Sequence, residues 1–290
     1  MLKLDTFMST SVIKQLPKST VEIEIKIPWV DISDTYEKIF IRVINEFEFE
    51  GFRKGKVPRK IVEEHVDRSK VYQEVIKEIV PKAYQEAVML HKLAPVISPK
   101  VEVIKAKEKE EWQIKATVAQ KPKIDLKNYK EKIRSFKKSK PHIWTPNQKT
   151  SENKEDKKPS LDELMKIIIE EADIEISDLL ILEESNRLLA SLVDQTQKLG
   201  LTVEQYLVAK GKTTDQIRAE YATEAAKNLK LEFALAEIAD LENITVTQED
   251  LDKILAKVEK PEEKERLKKD SYYLAHLLRQ QKTLDFLYNL

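Results

Sequence analysis

Cysteine is missing from all 290 residues. No disulfide can form, and no thiolate can serve as nucleophile or metal ligand. That fits a reducing compartment without proving one. Long apolar runs are missing too. Nothing approaches the roughly 20 consecutive apolar residues of a membrane helix, so no membrane partner is expected. The N-terminal stretch MLKLDTFMSTSVIKQLPKST carries an acid at Asp5 and no long apolar core, and it does not read as a signal peptide. Met8 is an alternative start. The expectation is a soluble, cytoplasmic protein. There is no phosphate-cradling glycine loop, no G-x-S-x-G elbow and no nucleotide fingerprint. His65, His91, His142 and His276 lie far apart and make no short metal-ligand spacing. No catalytic residue, metal or cofactor is expected.

Glycine is scarce, with four in the chain, and its placement is informative. Gly51 and Gly55 fall together in Phe49-Glu50-Gly51-Phe52-Arg53-Lys54-Gly55-Lys56-Val57-Pro58. Glycine reaches φ > 0 without a steric penalty, so this segment predicts a sharply shaped loop. It presents Phe52, Arg53, Lys54 and Lys56, then Arg59 and Lys60. Pro58 suits the first position of a following helix. One aromatic and several cations on a rigid tip suit a surface of phosphates and carboxylates. The same residues also fit a solvated basic tip without a partner.

The net charge is zero, but its distribution is not even. Residues 1–158 hold 34 Lys and Arg against 24 Asp and Glu, whereas residues 159–290 hold 17 against 27. A basic half is drawn to RNA phosphate, and an acidic half is repelled by it.

Residues 19–28, STVEIEIKIP, alternate strictly and predict a half-buried strand. Ser33 is a candidate N-cap for a helix over 34–47. A short helix follows the loop, then a longer one over 69–92. Strands are predicted near 95–105 and over 111–119. This order makes a small α+β domain. Residues 127–158 carry 11 Lys and Arg, four acids and three aromatics without an apolar period. They read as a basic linker, extended or disordered near 137–158. Phe136 and Trp144 read as packing on a neighbouring domain in preference to stacking on RNA. From about 160 the chain reads as helical: 160–171, 177–198, 203–209, 213–240, 247–258 and 261–289. Ser177 and Thr213 or Thr214 are N-cap candidates, Thr247 with Asp250 forms a start like a capping box, and Gly200 and Gly211 fall just past helices.

The run GFRKGKVP resembles the ribosome-docking signature of trigger factor, the bacterial chaperone that meets nascent chains at the ribosomal tunnel exit. The segment ADIEISDLLILEESNRLLASLVDQTQKLGLTVEQYLVAKGKT and the ending RQQKTLDFLYNL are similar to that family's C-terminal helical domain. The resemblance implies that Phe52, Arg53 and Lys54, with Lys56, form the ribosome contact, and that Gly51, Gly55 and Pro58 shape the loop. It implies two partners: the large ribosomal subunit, protein and rRNA together, and unfolded nascent polypeptides. A weak homodimer stays open. It also implies an α+β N-terminal ribosome-binding domain (19–130) after an extension (1–18). A basic linker (131–159) then leads to an all-α chaperone domain (160–290), a cradle with two projecting arms. The family normally carries a prolyl isomerase domain of the FK506-binding type between these parts. Here only the polar linker fills that slot. No glycine occurs between Lys56 and Leu199 for the turns of a sheet domain, so the isomerase is expected to be missing. The alternative is a ribosome- or RNA-associated assembly protein that holds no clients. Tyr221, Phe233, Leu274, Leu277, Phe286 and Tyr288 could line a cradle but read better as core.

Overall fold

The computed structural model describes residues 9–139, 160–258 and 261–290. The chain forms two compact units that divide between Lys121 and Pro122.

The first unit is built on one strand pair. In β2 (Thr20–Ile27), Val21, Ile23, Ile25 and Ile27 are all buried. They stand opposite Val118, Ala116, Ile114 and Trp112 of β4 (Trp112–Ala119), which runs antiparallel. Two strictly alternating strands in this register present one continuous apolar face. The helices α1 (Trp29–Glu46) and α3 (Arg68–Leu90) supply the cover. In α3 the buried Val71, Val75, Ile79, Ala83 and Ala87 recur every four residues, an apolar stripe that winds slowly around the helix at 3.6 residues per turn. β3 (Lys100–Lys105) pairs with the far side of β4, giving the order β1-β2-β4-β3.

The remaining strand, β1 (Thr10–Leu16), lies within the stretch expected to be an N-terminal extension. It pairs with β2 from Thr10↔Lys26 to Leu16↔Thr20. Its turn has φ > 0 at both Lys18 and Ser19. Such paired left-handed positions usually advertise themselves as Asn-Gly or Asp-Gly, and here they do not. The His91 ring nitrogen Nε2, 3.0 Å from the Ser11 hydroxyl, ties β1 to the end of α3. Helix α1 also begins earlier than expected. Pro28, not Ser33, precedes its first residue, and the added turn places Ile32 in the core.

The second unit is helical apart from a short bridge of β5 (Ile124–Asp125) to β6 (Asp173–Ile174). Its helices are α4 (Tyr129–Ser139), α5 (Leu161–Glu171), α6 (Asp178–Lys198), α7 (Val203–Lys210), α8 (Thr214–Leu241), α9 (Gln248–Lys257), α10 (Pro261–Lys269) and α11 (Ser271–Asn289). The starts follow the sequence closely. Ser160, Thr202, Thr213 and Thr247 each close a capping box. Where one helix was expected over 261–289, the chain breaks at Asp270 into α10 and α11.

Helix α4 corrects the linker reading. Residues 129–139 do not extend. Tyr129 and Ile133 are buried with Leu164 and Ile168 of α5, Ala234, Leu235 and Ile238 of α8, and Leu287 of α11. The Tyr129 hydroxyl donates to Glu242 Oε1 at 3.1 Å, and Lys130 Nζ pairs with the same carboxylate at 2.5 Å. Lys137 Nζ donates to the Leu287 and Tyr288 carbonyls at the C-terminal end of α11, where a cation complements the helix dipole. Two apolar residues four apart, Tyr129 and Ile133, form too narrow a stripe to stand out among so many lysines. Phe136 is half-buried on α4. The rest of the expected linker, with Trp144 and His142, lies outside the described residues.

The helical unit has no single core. Leu192, Leu207 and Ile217 make a second cluster from α6, α7 and the start of α8. Leu255, Leu274 and Leu278 make a third from α9 and α11. Helix α8 joins the first two clusters. Its buried Ile217 and Ile238 are about 30 Å apart at 1.5 Å per residue.

If α4 is an integral part of the helical unit, replacing the fully buried Ile133 by alanine should destabilise that unit by about 2–5 kcal/mol, as for other large-to-small core changes. Urea unfolding of the full chain followed by far-UV circular dichroism checks this. A loss of a few tenths of a kcal/mol would restore the linker reading.

Candidate functional site

Helix α1 ends at Glu46, and the chain leaves it extended, with Phe47 at φ −73°, ψ 132°. Phe47 and Phe49 pack back onto the core of the first unit, their rings stacked with centroids 6.3 Å apart. His65, in the last turn of α2 (Arg59–His65), sets its ring edge-on against Phe49 at 4.8 Å. Its Nδ1 lies 2.8 Å from the Ile61 carbonyl and therefore carries the proton it donates. With the rear of the loop pinned in this way, the front is free to be shaped by its own backbone.

That shape is two four-residue turns in tandem. The Phe52 N–H donates to the Phe49 carbonyl at 3.0 Å, and the Lys56 N–H donates to the Arg53 carbonyl at 2.9 Å. Gly51 and Gly55 occupy the third position of each turn, at φ +84° and +74°. A left-handed third position is the glycine place of a type II turn. This explains the four-residue spacing. Gly55 carries a second constraint. A Cβ built on it would stand 3.1 Å from the Asn45 carbonyl oxygen, whereas one on Gly51 would meet nothing within 4 Å. Val57 then buries into the core, and Pro58 leads into α2 immediately ahead of its first helical residue.

The turns sort the side chains. Phe52 leans on Phe49 at 6.3 Å and stays 43% exposed. Arg53, Lys56 and Lys60 are exposed and make no ion pair among the described residues. Lys54 Nζ rests 3.1 Å from Glu48 Oε1. Arg59 differs from expectation. It is exposed, but its guanidinium is already committed. Its Nη1 and Nη2 fork onto Glu37 at 2.7 and 2.8 Å, its Nε donates to Glu63 at 2.6 Å, and its guanidinium lies 5.1 Å above the Phe40 ring. The hydrogen bond from Arg59 holds the Glu37 carboxyl below its usual range. Arg59 thus ties α2 to α1 at the base of the loop. The alternation of acids at 37 and 63 with a basic helix start carried no signal in one dimension.

Of the six apolar residues weighed for a cradle, Leu274 is buried, and Tyr221, Phe286 and Tyr288 pack against clusters. Phe233 is half-buried and Leu277 is exposed. Exposed apolar side chains that sequence patterning missed include Leu199, Leu201 and Val208 around the α6–α7 connection, and Tyr272 and Tyr273 at the start of α11. Among the described residues no group of three or more acids or histidines stands ready to hold a metal, and no helix is long and apolar enough to cross a membrane.

Residues 8–148 match the family profile described as "Bacterial trigger factor protein (TF)", and residues 146–289 match "Bacterial trigger factor protein (TF) C-terminus". The chain belongs to the trigger factor family. It is 32% identical over 117 residues to the trigger factor of Natranaerobius thermophilus, covering 40% of this chain and 26% of that one. To the trigger factor of Geobacter metallireducens it is 36% identical over 121 residues, 42% of this chain and 28% of that one. The chain therefore spans about a quarter of the length of the curated relatives it matches. A solved chain from work on promiscuous substrate recognition in the folding and assembly activities of the trigger factor chaperone aligns over 96% of this chain and 99% of its own. Its TM-score is 0.63 at 12% identity, a likeness of fold. The tandem-turn loop lies inside the N-terminal trigger factor match. The two matches overlap at residues 146–148, so the N- and C-terminal trigger factor segments follow each other directly here.

The two glycines should respond differently to alanine. Gly51→Ala meets only the left-handed backbone, at about 1–2 kcal/mol. Gly55→Ala meets that strain and the Asn45 carbonyl as well, so it should cost clearly more. Chemical denaturation of both variants checks the difference, and equal losses would contradict the close approach at Gly55.

Proposed function

We propose that this protein is an ATP-independent chaperone that docks at the tunnel exit of the large ribosomal subunit through the tandem-turn loop. Phe52 is the apolar anchor. Arg53 and Lys54 carry the charge contacts, with Lys56 beside them, and Gly51, Gly55 and Pro58 set the backbone. The observation that carries the proposal is the loop itself: a half-exposed aromatic and an arginine with no ion pair among the described residues, held at a tip of two hydrogen-bonded turns, in a trigger factor N-terminal segment. Little ordering remains to be done when such a tip binds, which favours affinity.

The helical unit is the client-holding part. Its separate clusters leave apolar side chains uncovered, with Val208 at 81% and Tyr272 at 90% exposure. Dispersed apolar contacts hold extended segments weakly and without sequence preference. The protein works in the cytoplasm, on unfolded nascent polypeptides. It has no prolyl isomerase activity on this reading: its two trigger factor segments are contiguous in sequence, and the short, charged and polar stretch that joins them contains no glycine for the turns of a sheet domain.

The triple replacement of Phe52, Arg53 and Lys54 by alanine should abolish cosedimentation with ribosomes while the circular dichroism spectrum stays that of the wild type. Each lost charge-assisted hydrogen bond is worth about 1.5–3 kcal/mol, so binding should fall by orders of magnitude. Unchanged cosedimentation would sink the docking assignment.

The same triple variant should still delay aggregation of a denatured client in light scattering, and neither protein should isomerise a proline peptide above background. No protection at several-fold excess of the wild type would favour an assembly protein without client holding. Robust isomerisation by pure protein would overturn the reading of residues between the two segments.

A further inference from the structure

The docking loop is approached through carboxylates as well as cations. Glu46, Glu48 and Glu50 alternate with Phe47 and Phe49 on the way out of α1. The rings pack on the core, whereas all three acids are exposed. Glu48 is placed closest to the chemistry, with Oε1 3.1 Å from Lys54 Nζ. Lys54 is thus already paired, while Arg53 and Lys56 beside it have no ion pair among the described residues.

We propose that Glu48, with Glu46 and Glu50 behind it, is a specificity-determining residue of the loop, which weakens its binding to bare polyanions such as single-stranded RNA. This deepens the docking reading above and rests on it. A phosphate that reaches for Lys54 must first displace Glu48. It also meets the Glu48 carboxylate at a separation well inside the Debye length, about 8 Å at physiological salt. An exposed pair of this kind is weak, so it is readily exchanged. A surface that seats Phe52 and offers Lys54 a fixed acceptor gains enough elsewhere to make the exchange. A flexible polyanion has nothing shaped to receive Phe52 and meets the repulsion alone. The cation count of the loop therefore overstates its affinity for RNA.

The test compares full-length wild type, Glu48→Gln and Glu48→Gln/Lys54→Gln. Poly(U) binding is read by fluorescence anisotropy across a salt series, and ribosome binding by cosedimentation. Glu48→Gln should bind poly(U) about threefold to fivefold more tightly at low salt. Its log K against log salt should steepen by about 0.7, the slope of one more single-strand phosphate contact. The added Lys54→Gln change should remove that extra slope. Ribosome affinity of Glu48→Gln should shift by less than its RNA affinity, so that the ratio between the two falls. Unchanged poly(U) affinity and slope in Glu48→Gln would overturn the inference. So would an equal rise in ribosome and poly(U) binding, since the residue would then be a general brake. Failure of the wild type to cosediment with ribosomes would overturn the docking reading, and this inference with it, whatever poly(U) does.

Discussion

The apolar face shared by β2 and β4 is the constraint from which the rest of the first unit follows. Ile23, Ile25 and Ile27 opposite Ala116, Ile114 and Trp112 must be covered. Two antiparallel strands alone cannot do that, and α1 and α3 lie where they do because of it. Once α1 is seated by Ile39 and Phe40, and α2 by Val62, the connection between them has few residues in which to reverse. Two tandem turns accomplish this. The second passes so near the Asn45 carbonyl that a side chain would intrude. The exposed tip is thus a consequence of the core beneath it. The ion-paired Arg59 and the stacked Phe47 and Phe49 transmit the position of α1 and α2 to the loop.

The helical unit solves a different problem. Among the described residues its apolar side chains fall into separate clusters along α6, α8 and α11. Each satellite cluster is small, so local order has to come from elsewhere. Much of it comes from helix ends. Four capping boxes fix starts, and Arg279 and Lys282 of α11 bond to Asp240, Asp250 and the carbonyls of Ile244 and Thr245. The pairing with Lys282, with help from Thr247, holds the Asp250 carboxyl below its usual range. Stability supplied by caps and pairs leaves neighbouring apolar side chains such as Tyr272 and Leu277 uncovered.

What could be read in advance followed from local rules. The strict alternation of β2 and β4, the stripe of α3 and the capping residues each depend on neighbours a few positions away. Even the glycine spacing at 51 and 55 announced a shaped loop. The features that escaped depend on tertiary partners. β1 could not be seen because its turn uses Lys18 and Ser19 where glycine or asparagine would have signalled left-handed backbone. α4 could not be seen because it is held by Glu242, Leu287 and Tyr288, residues over a hundred positions away. At the loop, residue types alone listed Arg59 with the outward cations. The positions of Glu37 and Glu63 decide otherwise, and only the packing of α1 against α2 brings them together.

Charge shows the same division between composition and placement. An excess of cations in residues 1–158 points toward an anionic partner, but a count treats every cation alike. In the folded unit, Arg59 is fully committed, Lys54 is held by one exposed carboxylate, and Arg53 and Lys56 have no ion pair among the described residues. Four cations close in sequence therefore stand at three different levels of availability. Long-range attraction to a charged surface draws on the whole excess and falls with salt. On the proposed docking, close contact draws first on what the turns leave uncommitted, Phe52 and Arg53, and reaches Lys54 by exchange with Glu48. The composition of the half-chain then favours approach to an anionic partner, while two left-handed glycines and a carboxylate beside Lys54 limit which loop contacts can follow.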